Sequence, residues 1–144
     1  MTARVGVIAS LLLALLALPA VAQDAELDRV LGQLGANWAR GDAAALVDLG
    51  GRAGISFELR GERIGPLSSR QAAAVLRRLF DGRETLSVRH GMAQVVGGSP
   101  PRAFGELAWV TRVAGTTIPE HSTVLFALVR DREGWRITQI RLIQ

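Results

Sequence analysis

Ser68-Ser69-Arg70-Gln71-Ala72-Ala73-Ala74-Val75-Leu76-Arg77-Arg78-Leu79-Phe80-Asp81-Gly82, followed at once by Arg83-Glu84-Thr85-Leu86-Ser87-Val88-Arg89-His90-Gly91-Met92, sets two hydrophobic periods side by side. In the first half Ala72, Val75, Leu76, Leu79 and Phe80 recur at helical spacing, while Arg70 and Arg77 fall on the opposite face. Ser68 with Gln71 three residues on is a capping box, and Asp81-Gly82 supplies the stop. Beyond Gly82 the period becomes two and stays two. Residues 86–96, 103–114, 123–130 and 135–143 all read as strands, separated by turns at Gly97 to Pro101, Gly115 to His121 and Asp131 to Gly134.

Working back towards the N-terminus, Leu27, Val30, Leu31, Leu34 and Trp38 mark one face of a helix over 24–40. Gly41 ends it, and Asp42 caps a shorter helix over 43–49 that stops at Gly50-Gly51. Ile55, Phe57 and Leu59 alternate with Ser56, Glu58 and Arg60 as a half-buried strand does, and 61–67 reads as a loop. Helices and one strand followed by a four-strand meander predict an α+β domain, with N-terminal helices packed in the concave face of a strongly curved antiparallel sheet.

The chain has 144 residues with no cysteine and no tyrosine, and all of its basic residues are arginine. Without cysteine there is no disulfide scaffold, thiolate metal site or catalytic thiol. Residues 1–22 have the layout of a cleavable signal peptide: Arg4 is their only charge, an apolar stretch runs from Val5 to Leu18, and Pro19 precedes Ala20-Val21-Ala22. Cleavage between Ala22 and Gln23 leaves a single domain over 23–144, exported to the periplasm or medium, with no stable membrane span after processing. Losing Arg4 takes the formal charge from +4 to +3. So small an excess, with no binding motif, argues against a nucleic-acid partner.

Trp38-Ala39-Arg40-Gly41-Asp42-Ala43 resembles the opening of the nuclear transport factor 2-like superfamily, which includes ketosteroid-isomerase-like members and shares the cystatin-like cone. Gly134-Trp135-Arg136-Ile137-Thr138-Gln139-Ile140 is similar to its closing strand. Ser69-Arg70-Gln71-Ala72, Leu79-Phe80 and His90-Gly91 are similar to a branch of small exported bacterial proteins of uncharacterised function. The resemblance implies a cone enclosing a pocket, and often pairing of two copies through the outer sheet face. It does not select an activity, because the superfamily contains enzymes and plain binding modules alike. The tyrosine that its steroid isomerases use in the oxyanion hole has no counterpart in this chain.

Alternation on the strands places His90 with Leu86, Val88 and Met92 on the core side, and Gln139 and Arg141 with Trp135, Ile137 and Ile143. The expected pocket is therefore lined by Trp38, Phe57, Phe80, His90, Trp109, Gln139 and Arg141. The aromatics would supply contact area, and the three polar residues would orient a small apolar or amphipathic ligand. No cofactor or metal is expected, since His90 and His121 stand on distant segments and His121 falls in a turn. Arg70, Arg77 and Arg78 read as a solvated helix face. Residues 123–129 are apolar on both faces, so Leu125 and Val129, with Ile140 and Leu142 beside them, form the expected outer surface for a homodimer. The leading expectation is a non-catalytic binding or interaction module. The alternatives are a small hydrolyase or isomerase with His90 as general base and Arg141 steadying an oxyanion, and a structural dimer with a filled core.

Overall fold

A computed structural model describes residues 25–144; the expected leader over 1–22 and its cleavage point at Ala22 and Gln23 lie outside the described residues. Helix α1 covers 25–40 of these. Its apolar face, Leu27, Val30, Leu31, Leu34 and Trp38, is buried as the spacing requires. Gly41 then takes a positive φ of 64°, and Asp42 caps α2 (Ala43–Asp48) by accepting from the Ala45 amide at 3.0 Å. The capping box at Ser68 and Gln71 is present with both of its bonds and opens α3 (Ser69–Phe80).

Six strands form one sheet: β1 (Ile55–Leu59), β2 (Glu62–Leu67), β3 (Arg83–Val96), β4 (Arg102–Val113), β5 (Pro119–Asp131) and β6 (Gly134–Ile143). Their order is β2-β1-β6-β5-β4-β3. Every pairing is antiparallel except that of β1 with β6, which is parallel, so the sheet is mixed. It curves without closing, and the helices fill its concave side around a core that includes Trp38, Phe57, Trp109, Phe126 and Trp135.

The structure corrects the reading of β2, β5 and β6. Residues 61–67 are not a loop: Glu62–Leu67 forms β2, pairing Leu59 with Glu62 and Phe57 with Ile64. As an exposed edge strand containing Gly65-Pro66, it carries no alternating burial for the sequence to display. His121 lies on β5 opposite Val110, because that strand begins at Pro119 and shortens the turn. The third correction reverses half of β6.

Between the pairs Ala127–Gln139 and Leu128–Ile137, β6 carries one extra residue, Thr138. Its hydroxyl donates to the Ala127 carbonyl at 3.2 Å. A bulge of this kind shifts the alternation by one residue. Trp135 and Ile137 face the core before it, and Ile140 and Leu142 after it, with Ile140 fully buried. Gln139 and Arg141 thereby turn to the convex face. Ile140 and Leu142, expected on a dimer surface, are core residues, whereas Leu125 and Val129 do face outward.

Candidate functional site

The seven side chains expected to line a pocket divide into three groups. Trp38, Phe57 and Trp109 are buried, and Phe80 packs partly buried against them. Trp38 lies 5.0 Å from Phe80, 5.3 Å from Trp109 and 5.6 Å from Phe126, ring centre to ring centre and edge to face in each case. Phe80 and Trp109 stand at 5.9 Å. These are the separations at which aromatic rings attract one another, and the rings occupy the interior themselves. Gln139 and Arg141 lie on the far side of the sheet, where Arg141 Nε meets Glu58 Oε1 at 3.1 Å.

His90 stands apart from both groups. It pairs with Leu107 and shares the helix-facing side of β3, but β3 is the edge strand and the imidazole is exposed there. Extra residues in β3, one between Thr85 and Ser87 and one between His90 and Ala93, also leave Leu86 and Met92 exposed rather than core-facing. His90, Glu106, Asp28 and Met92 border an open depression of about 170 Å³. Its neighbour in the proposed chemistry, Arg141, is three strand positions away across the sheet and on the opposite face. The structure does not bring the two together.

A larger hollow lies at the mouth of the cone, and none of the seven lines it. Leu59 and Leu142 are cross-strand partners on β1 and β6. Val75 and Leu79, one turn apart on α3, face them across the mouth, and Ile64 of β2 closes one side. Together they bound a cavity of about 440 Å³, within the range of small-molecule sites. Its rim carries Arg60, Arg78, Arg83 and Glu62. Arg78 thus reaches the mouth, although the sequence placed it on a solvated face with Arg77; the position three after Val75 shares its side of the helix.

Beside the mouth, and sharing Arg60, Arg83 and Gln144 with it, is a more polar annex of about 360 Å³ bordered by Glu120, His121 and Ser122. Arg83 comes immediately after the Asp81-Gly82 stop of α3 and donates from Nη1 to Glu120 at 3.2 Å. Arg60 sits at the two-residue turn between β1 and β2 with φ 53°, followed by Gly61 at φ 79°. Positive φ at both positions is the hairpin turn whose twist suits the flanking strands, and it normally takes asparagine or glycine rather than arginine. An arginine held in that conformation at a cavity rim is a signal the sequence offered at Arg60-Gly61, legible once β2 is known to follow.

Among the described residues no three His, Cys, Asp or Glu side chains converge as metal ligands would. No helix among them is long and apolar enough to cross a membrane.

No family model matches the chain, and no curated protein matches it in sequence. Solved structures do match it in fold. A nuclear transport factor 2-like protein with a cystatin-like fold from Novosphingobium aromaticivorans is 18% identical, with 99% of this chain and 90% of that one covered at a TM-score of 0.62. A DUF4783 family protein from Bacteroides uniformis is 12% identical, with 78% and 94% covered at 0.65. A putative ketosteroid isomerase from Shewanella frigidimarina is 14% identical, with 81% and 94% covered at 0.59. At these identities the likeness establishes the fold: the chain has the nuclear transport factor 2-like, cystatin-like α+β architecture that its opening and closing segments resemble.

Proposed function

We propose that this protein is a non-catalytic binding module for a small, largely apolar molecule, and that the ligand enters at the mouth of the cone rather than among the seven residues expected from the sequence. The observation that carries the reading is the 440 Å³ cavity, with Leu59, Val75, Leu79 and Leu142 as its apolar walls. Apolar side chains left facing an open space of this size are stabilised by an occupant that removes them from water, at roughly 25 cal/mol per Å² covered. The interior cannot take that ligand, since Trp38, Phe80 and Trp109 already fill it.

The layout of residues 1–22 supports export, with the mature chain starting at Gln23. Leu125 and Val129, joined on the convex face by the half-exposed Phe104, support self-pairing there. Binding at the mouth is tested with an uncharged naphthylamine fluorophore. Wild type is expected to brighten it, and Leu79→Glu, which puts a charge into the apolar wall, is expected to abolish the signal while the protein remains folded. Equal brightening by both proteins would remove the mouth from consideration.

A further inference from the structure

Resting on the reading just given, we infer that the ligand is an amphiphile with a carboxylate head: its tail lies against the apolar walls of the mouth and its head enters the annex, where Arg83, Arg60 and Ser122 receive it. Three observations converge on the annex. The first is Ser122. It faces inward from β5 opposite Trp109, is only 7% exposed, and borders the annex. Its hydroxyl oxygen is buried with no hydrogen-bond partner. A buried hydroxyl left unpaired costs about 1–3 kcal/mol; closed to solvent as it stands, it would take an acceptor from a ligand only as the annex wall beside it gives way.

The second observation is the charge. Arg60 and Arg83 belong to both hollows, and Arg78 adds a third guanidinium at the mouth, against Glu62 and Glu120. Counted over side chains, three guanidiniums stand against two carboxylates where apolar wall and polar annex meet, which is where an anionic head would lie if its tail filled the mouth.

The third is what Arg83 already holds. Its side chain is 16% exposed, and Nη1 alone contacts one oxygen of Glu120, whose side chain is 46% exposed. The internal partner shows that the guanidinium is reachable by a carboxylate from the annex side. A planar guanidinium can take a carboxylate on two parallel N–H donors, so a single contact leaves donor capacity for an incoming head. Glu120, at the open end of β5, is free to swing towards solvent as the ligand replaces it. No covalent step is involved.

The test is calorimetric titration of the whole mature protein with decanoate, decanol and decyltrimethylammonium, which share a tail and differ in head charge. Decanoate is expected to bind at least about tenfold tighter than decanol, and the cation weakest, as charge-assisted bonds to arginine predict. Arg83→Gln should weaken decanoate about tenfold and leave decanol unchanged. Glu120→Gln, at a half-exposed position, removes the internal competitor and should tighten decanoate severalfold, a gain that no folding defect mimics. Decanoate and decanol binding equally to wild type would overturn the carboxylate assignment while leaving the apolar mouth in place. So would a Glu120→Gln variant no tighter than wild type. If none of the three amphiphiles binds, the mouth itself is not a ligand site and both readings fall.

Discussion

Gly35 of α1 lies directly under the imidazole of His90: a Cβ at Gly35 would sit 2.6 Å from Cε1 and 2.8 Å from Nε2 of that ring. The close approach explains why a helix interior keeps a glycine, which costs about 0.5–1 kcal/mol relative to alanine. It also gives His90 a packing role at the sheet edge that needs no catalytic partner. Gly35→Ala is expected to be nearly neutral on its own, since the gain in helix propensity is offset by ejecting the ring. In a His90→Ala background the same change should stabilise by roughly 0.5–1 kcal/mol. Denaturant unfolding of the four proteins measures the coupling, and additive effects would mean that the ring does not rest on Gly35 in solution.

Trp38 and Trp109 lie against each other, yet their indole N–H groups fare differently. Trp109 Nε1 donates to Thr85 Oγ1 at 3.0 Å, whereas Trp38 Nε1 is buried without a partner. Replacing either by phenylalanine removes similar volume, but only at Trp109 does it break a hydrogen bond and strand the threonine hydroxyl. Trp109→Phe should therefore cost about 1–2 kcal/mol more than Trp38→Phe. Alanine at either position should cost about 3–5 kcal/mol through the cavity it leaves. Thermal unfolding of the four variants checks the ranking.

Local signals in the chain were legible wherever one residue's neighbours in sequence decide its structure. Ser68 with Gln71, and Asp42 with Ala45, form the caps their spacing announces, and the meander from β3 to β6 follows its turns. A turn centred near Ser99 allows His90 to stand opposite either Leu107 or Trp109, and the structure pairs it with Leu107. The phase of β6 was not legible, because Gln139-Ile140-Arg141-Leu142-Ile143 offers apolar residues on both alternations, and the choice is made by a bulge at Thr138 that depends on β5. The mouth was out of reach for a related reason. Leu59 and Leu79 look like ordinary core positions and Leu142 like a residue of the outer sheet face, and only the packing of α3 over the far ends of β1 and β6 sets the three around one hollow.

On the convex face, Phe104 is 50% exposed and stands opposite Ala127, with Leu125 and Val129 on the same side of β5. If two copies pair through this face, Phe104→Glu places two charges in the contact and should shift sedimentation from dimer to monomer at micromolar concentration. Unfolding free energy measured on the monomer should change by no more than about 0.5 kcal/mol, as for other surface substitutions. Identical sedimentation of wild type and variant would rule out pairing through Phe104.

Arg60 joins the strain of the β1–β2 turn to the chemistry of the mouth. Its φ of 53° is a conformation that glycine reaches without a Cβ penalty, while a left-handed non-glycine residue pays about 1–2 kcal/mol. Arg60→Gly should accordingly stabilise the protein, by up to about 1 kcal/mol once the greater freedom of glycine in the unfolded chain is offset. The same change removes a guanidinium bordering both the mouth and the annex. Decanoate affinity should then fall by about threefold to tenfold, the range for losing one charge-assisted contact at an exposed rim, while decanol is unaffected. Stability and binding moving in opposite directions is what distinguishes an arginine held for a ligand from one tolerated in a turn. A variant that is more stable and binds decanoate as well as wild type would assign Arg60 to the turn alone.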